Sequence, residues 1–377
     1  MADSDQILVE DELFVKRITL NRPRQLNALS DIMITRLLEL FLAYEEDPDV
    51  KLIILKGAGR AFCAGGDVAA VIRDINKGDW RLGASFFWKE FILNYVMATY
   101  SKTQVSILNG IVMGGGAGAS IHGRFRVATE NTVFAMPETA LGLFPDVGAS
   151  YYLSRLPGFF GEYLGLTGAR LDGAEMLACG LATHFVHSTK LPLLEAALSE
   201  TKFNDSVNIA GVIDKYADHP EVKETSDYCR LDIIERCFSH RTVEEIFCAV
   251  EKEAAKRHED WIAGALASLK KASPTSLKIS LKSIREGRLQ GVGQCLVREY
   301  RMVCHVLQGE VSRDFSEGCR AILLDKDRNP KWEPSSLDQV SDSMVDRYFD
   351  RVDEEDWEDL KLPARSSNLP AFAIAKL

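Results

Sequence analysis

Two short glycine-rich runs and two acids are where this sequence could do chemistry. The runs are Ala64-Gly65-Gly66-Asp67 and Gly114-Gly115-Gly116-Ala117-Gly118. Glycine lets a backbone approach a ligand closely and present its N–H groups. The second run follows an expected strand over 104–108 and is placed to open a helix running toward His122. A helix N-terminus carries unpaired N–H groups and the positive end of the peptide dipole. Two such donors converging on one carbonyl oxygen form an oxyanion hole, in which a single donor is worth about 3 kcal/mol of transition-state stabilisation. The alternative use of either run is tight helix–strand packing.

The acids are Glu138 and Asp146, in the apolar, turn-rich stretches FAMPE (134–138) and GLFPDVG (142–148). A carboxyl in apolar surroundings tends to a raised pKa, which suits general acid–base work. Their local alternatives are capping: Glu138 at a turn, Asp146 at a helix beginning near Val147. Other residues carry less. His184 and His187 form an HxxH pair with no third ligand in view, Cys63 has no neighbours that mark it as a nucleophile, and His122 is expected to pack or cap near a helix end. There is no P-loop, GxGxxG, HExxH or GxSxG, so nucleotide-loop, zincin and α/β-hydrolase readings lose support.

The elements that must position these residues alternate. A strand is expected over 13–20, then a helix capped by Ser30 or Asp31 and running to about Tyr44, with Ile34, Leu37, Leu38, Phe41 and Leu42 on one face. A buried strand follows at 52–55, an aromatic-rich helix at 85–100, and strands at 104–108, 124–128 and 132–135. This alternation over 13–190 argues for α/β layers. Residues 200–260 read as helices without an interpretable motif, and 274–308 as one or two amphipathic helices opening at Ser273-Pro274. The acidic stretch 338–359 reads as a solvated surface helix. No internal repeat is evident.

The whole chain sets outer bounds. Its 377 residues, 46% hydrophobic and 27% charged, suit a globular protein of about two domains, or one with appendages. A net charge of −10 argues against a nucleic-acid partner. Eight cysteines without a CxxC pair suggest a reducing compartment. No apolar run is long enough for a membrane span, and the acidic N-terminus resembles neither a signal peptide nor a transit peptide. Ala375-Lys376-Leu377 resembles the S-K-L peroxisomal address, in a tail (SSNLPAFAI) expected to be exposed. That makes a peroxisomal import receptor the expected partner and the peroxisome the expected location.

Four segments in order resemble the crotonase (enoyl-CoA hydratase/isomerase) superfamily: Asn21-Arg22-Pro23 with Asn27-Ala28-Leu29, AFCAGGD (61–67), Asn109-Gly110 with the Gly114–Gly116 run, and Pro137-Glu138. The stretches 136–148 and 120–128, and DKDRNPKW (325–332), are similar to the 3-hydroxyisobutyryl-CoA hydrolase branch. The resemblance implies an α/β fold, a crotonase-like spiral of strand-strand-helix units with a helical C-terminal region. Residues 1–200 would be the catalytic core, 201–265 a helical insertion, and 266–377 a C-terminal helical region with an acidic tail.

The resemblance also implies roles. Gly66 and Gly115 N–H would bind a thioester oxygen, and Glu138 and Asp146 would be catalytic, flanking the acyl group. Glu90, with Gly115, Glu138 and Asp146, would contact the substrate. Leu26, Ala28, Ala64, Gly65, Asp67 and Val68 would bind coenzyme A, itself part of the substrate, with no further cofactor or metal. Arg22, Arg24, Lys56 and Arg60 are candidates for its phosphates, or a solvated face. A homo-oligomer is implied as possible. Hydratases use two Glu; one matches Glu138, the other falls on Gly118, and they usually carry Gly where this chain has Asp146. The resemblance therefore implies hydrolysis of a small 3-hydroxyacyl-CoA in valine breakdown. Enoyl-CoA hydration or isomerisation, and a non-catalytic subunit of an assembly, are the alternatives.

Overall fold

The computed structural model describes residues 6–75, 78–201, 206–354, 356–366 and 368–377, and it begins with a hairpin. β1 (Ile7–Glu12) pairs antiparallel with β2 (Val15–Leu20). The expected single strand over 13–20 therefore starts too early, because Leu13, at φ 41°, is the turn. β1 escaped notice because it is an edge strand with acids at three of its six positions and only Ile7 buried.

The remaining strands are β3 (Leu52–Gly57), β4 (Ala61–Cys63), β5 (Thr103–Leu108), β6 (Ile111–Met113), β7 (Phe125–Ala128), β8 (Val133–Ala135), β9 (Leu171–Asp172) and β10 (His184–Phe185). They form a six-stranded sheet, β1-β2-β3-β5-β7-β10, and a four-stranded sheet, β4-β6-β8-β9. Three times, a strand of the first sheet is followed after a short turn by a strand of the second and then by helix. The pairs are β3-β4, β5-β6 and β7-β8. This is the strand-strand-helix spiral. It repeats as topology rather than as residue identity, so no repeat was readable. β3 and β5 are largely buried runs, as parallel strands covered on both faces must be.

Helices close over these layers. In α1 (Asp31–Glu46) the Ser30 hydroxyl accepts from Met33 N, and Met33, Ile34, Leu37, Leu40 and Phe41 are buried, while Leu42 is exposed. α2 (Val68–Ile75) follows the first glycine run. α3 (Trp80–Ala98) is capped by Asp79, five residues ahead of the expected start, and is buried along most of its length. α4 (Gly115–Ile121) opens on the second glycine run. Helices also fill the middle of the chain, at Ser206–Asp214, Leu231–Phe238 and Val243–Arg257.

The 274–308 segment is two helices, Pro274–Gly287, capped by Ser273, and Val292–Gln308. The second lies on α3, where Trp88 and Phe91 meet Tyr300 edge to face. One hydrophobic cluster takes in side chains from Ile7 to Leu360.

Of two expectations about the C-terminal part, one fails and the other holds only in part. The acidic stretch is not one surface helix: Leu337–Gln339 and Asp342–Arg347 are short helical turns, and its other described residues lie outside helix and strand. Its crowded like charges oppose a helix, and Arg301 holds Asp359 to the body at 2.6 Å. The terminal tail is exposed at Ser366, Asn368, Ala371 and Ile374 as expected, but it is docked on the body through buried Leu369 and Ala373 and through Lys376. Lys376 O accepts from Val292 N at 2.7 Å, and Lys376 Nζ donates to His122 O at 2.5 Å. Leu377 itself is 53% exposed. Among the described residues no helix is long and apolar enough to cross a membrane.

Candidate active site

The first glycine run is set by the loop before α1. Asn27, buried, donates to Ala58 O and Ala61 O and accepts from Arg22 N, which fixes residues 22–29 against the β3–β4 turn. That loop then holds the run by three backbone bonds: Ala64 N to Leu26 O, Leu29 N to Gly65 O, and Asp67 N to Leu29 O. The second run is held by β6 and opens α4; Ala117 N and Gly118 N bond Gly114 O, whereas Gly115 N and Gly116 N stand in the first helical turn, where intrahelical partners are lacking. The two runs touch. A Cβ on Gly115 would lie 3.0 Å from Gly66 N and overlap Glu90 Oε1, so a side chain there would crowd the first run and displace Glu90.

Between them lies a cavity of about 280 Å³. Gly66, Gly115, Glu90, Glu138 and Asp146 all line it, as do Ala28, Ala64, Gly65, Asp67 and Val68. Leu26 does not; at φ 52° it contributes its carbonyl to the first run instead. Phe87, Met113, Leu141, Leu143 and Leu323 make the apolar part of the lining. Leu323 comes from the far C-terminal region, which the sequence reading had not connected to the site.

The three acids reach the cavity from separate elements. Glu90 points from α3, Glu138 begins a 3₁₀ turn (Glu138–Leu141), and Asp146 precedes the helix Ala149–Leu153. Neither capping alternative holds. The 3₁₀ turn has no side-chain cap, and Gly148 rather than Asp146 stands at the start of the later helix. All three acids are buried, and Glu90 Oε1 and Glu138 Oε2 have no hydrogen-bond partner among the described residues. Buried polar atoms left unpaired in this way are costly. Burial pushes the carboxyls of Glu90 and Glu138 up to about 8. Asp146 is raised well above the usual carboxylate range by burial first, then by Glu138, Glu90 and Glu299.

Position 118 is closed. A Cβ on Gly118 would lie 2.6 Å from Val147 Cβ and 2.9 Å from Asn94 Nδ2, so a glutamate has no room there. Val147 is at φ 55°, a left-handed conformation that costs a β-branched residue of order 1–3 kcal/mol. The strained turn is tied on both sides. His122 Nε2 donates to Val147 O at 2.8 Å, and burial, then Lys376, pushes the imidazole down to about 3, so the ring is neutral. Glu299 accepts from Gly148 N at 2.6 Å and from Ser150 N at 3.0 Å. The reading missed Glu299. Its signal was a carboxylate three residues after Leu296 and four before Val303, on the apolar face of an amphipathic helix.

The remaining candidates separate. Arg22 donates to Ala28 O and pairs with Asp67 at 3.1 Å, on the cavity rim. Lys56 is occupied by Glu195 at 2.6 Å, while Arg24 and Arg60 are exposed. His184 contacts Asp214 at 3.2 Å and His187 Nδ1 lies 2.9 Å from Thr189 Oγ1. No group of three metal-ligating side chains occurs among the described residues. Cys63 is buried with its thiol pushed up to about 12 by burial, the opposite of an activated nucleophile.

A family model described as enoyl-CoA hydratase/isomerase matches residues 15–349. The chain is 71% identical over 377 residues to 3-hydroxyisobutyryl-CoA hydrolase 1 of Arabidopsis thaliana, covering 100% of this chain and 99% of that one. It is 45% identical over 361 residues to the small ribosomal subunit protein mS47 of the same plant, with 95% and 88% covered. The crystal structure of a carnitinyl-CoA dehydratase from Mycobacterium thermoresistibile superposes with a TM-score of 0.86 at 35% identity, over 96% of this chain and 100% of that one. With that match along the length of the chain and the spiral described above, the protein belongs to the enoyl-CoA hydratase/isomerase family and has the crotonase fold.

Proposed function

We propose that this protein hydrolyses the thioester of a small 3-hydroxyacyl-CoA, with 3-hydroxyisobutyryl-CoA as the main substrate, releasing 3-hydroxyisobutyrate and coenzyme A. The observation that carries the reading is the pair Glu138 and Asp146 in one cavity beside a position 118 that has no room for a second hydratase glutamate. The 71% identity to a relative named for this hydrolysis supports it.

The chemistry follows from the lining. The thioester oxygen accepts from Gly66 N–H and Gly115 N–H, which stabilise the charge that develops as the carbonyl carbon is attacked. Glu138 drives the attack, either as the nucleophile, giving an anhydride that water then opens, or as the base for a water. The C–S bond breaks and coenzyme A leaves as the thiolate. Burial and its three acidic neighbours hold Asp146 in the acid form. It can therefore donate to the 3-hydroxyl or to the departing group, while Glu138, raised by burial to about 8, is the group assigned to give up its proton. Glu90, with an unpaired oxygen facing the cavity, contacts the acyl group. The Ala28 and 64–68 segments hold the coenzyme A portion at the rim.

The reaction belongs to valine breakdown. The Ala375-Lys376-Leu377 end is proposed as a peroxisomal address, which needs the docked Lys376 to be released for its receptor. The identity to mS47 favours a second reading, a non-catalytic subunit, in which the cavity does no chemistry. Glu138→Gln distinguishes the two from within the site. The proposed reaction predicts a fall in kcat of at least about 10³-fold, measured as thiol release from 3-hydroxyisobutyryl-CoA; near-full turnover would reject the assignment.

A further inference from the structure

Glu299 lies outside the cavity, fully buried on the Val292–Gln308 helix. One of its oxygens accepts from Gly148 N at 2.6 Å. The other accepts from Ser150 N at 3.0 Å and Ser150 Oγ at 2.5 Å. Burial raises the Glu299 carboxyl, while the Ser150 hydroxyl, the two backbone N–H groups, which can only donate, and Arg298 favour its carboxylate form. The residues it grips immediately follow Asp146 and include the left-handed Gly148 (φ 79°), next to Val147 at φ 55°. The turn closes on itself through one bond, Ala149 N to Asp146 O at 2.9 Å, against the strain at Val147. Its other tether, His122 to Val147 O, is a single bond from a neutral ring.

We propose that Glu299 is a positioning residue for thioester cleavage, holding the Asp146–Val147–Gly148 turn so that Asp146 faces Glu138 and Glu90 across the cavity. The inference rests on the hydrolase reading above. It adds an electrostatic role to the mechanical one. The charged groups around Asp146 are Glu138 from the 3₁₀ turn, Glu90 from α3 and Glu299 from the C-terminal helix, all acidic. Beside Glu299 the cationic neighbour is Arg298, and the Cys295 thiol is raised by burial and by Glu299. Removing the Glu299 charge lets Asp146 lose its proton at lower pH. Glu138, whose raised pKa comes from burial, keeps its own.

The test is E299Q, which keeps the side-chain volume but removes the charge and places an NH₂ against backbone donors. Thiol release from 3-hydroxyisobutyryl-CoA is followed from pH 5 to 10, with circular dichroism to confirm folding. The infrared carbonyl stretch of protonated carboxyls is titrated in parallel, and the Asp146 band is assigned by its loss in Asp146→Asn. The expected result is a kcat lower by about tenfold or more with KM changed about threefold or less. The alkaline limb and the Asp146 band should move down by about half a pH unit or more, with the acidic limb unmoved.

Wild-type kcat, profile and band in folded E299Q would overturn the inference. So would activity lost only in proportion to unfolded protein with the profile unmoved. If E299Q does not fold, S150A removes one of the three donors, and kcat should fall about threefold; an unchanged kcat overturns the inference. A wild type silent on the substrate rejects the proposed reaction instead, while the infrared band still reports on Glu299.

Discussion

One wall of the cavity is backbone and the facing wall is buried acid, and the two are built by different parts of the chain. The backbone wall, Gly65–Gly66 and Gly114–Gly115, comes from two neighbouring strand-to-helix junctions of the spiral. It works by the absence of side chains: a Cβ on Gly115 meets Glu90 Oε1 and nearly touches Gly66 N. The acidic wall, Glu90, Glu138 and Asp146, comes from a helix, a 3₁₀ turn and a strained turn, and Glu299 behind it from a helix some 150 residues further on. It works by burial, which raises every carboxyl in it. A wall of amides is specified locally, whereas a wall of raised acids exists only once distant helices have packed over it.

Substitutions break the comparison at each wall in turn. Gly115→Ala strikes the backbone wall: a methyl at the proposed oxyanion position should lower kcat by about 10²–10³-fold, measured by thiol release at saturating substrate. Asp146→Asn strikes the acidic wall more mildly, with a fall of about 10²-fold expected and the fold intact by circular dichroism. Gly118→Glu asks whether the hydratase arrangement can be restored. With Val147 and Asn94 already in place, the added side chain should destabilise by about 1–3 kcal/mol and confer no loss of the crotonyl-CoA chromophore.

The smallest effect is on stability against pH. A carboxyl raised in the fold to about 8 contributes stability that is complete below its unfolded value and is lost as pH rises through 8. Glu90→Gln should therefore gain midpoint over wild type as pH goes from 5 to 8, by at most about 1.4 kcal/mol per unit, read in thermal melts. A gain that is flat with pH would mean Glu90 is not buried as an acid. By the same sign, kcat/KM should rise with pH up to about 8 as Glu138 ionises.

Much of the backbone wall was legible in the sequence. Glycine runs after apolar strands have few uses, and Glu138 and Asp146 stood out as acids in apolar stretches. Ser30, Ser273 and Pro274 marked helix starts because caps act within a few residues. What stayed illegible depends on packing across the chain. Glu299 grips the turn that carries Asp146 and Leu323 lines the cavity, each from more than 150 residues further along the chain. The closure of Gly118 by Val147 and Asn94 needs three elements at once. The docking of Lys376 on His122 turns an apparently free tail into part of the body. β1 was missed because its apolar face is only Ile7 and Val9, followed by three acids.

The most direct measurement incubates the purified protein separately with 3-hydroxyisobutyryl-CoA and with crotonyl-CoA. A thiol-reactive dye follows free coenzyme A, and ultraviolet absorbance follows the conjugated double bond. The two-wall account predicts thiol release from the first substrate and an unchanged chromophore in the second. Loss of the crotonyl chromophore without thiol release would contradict it, and silence on both would favour the non-catalytic subunit.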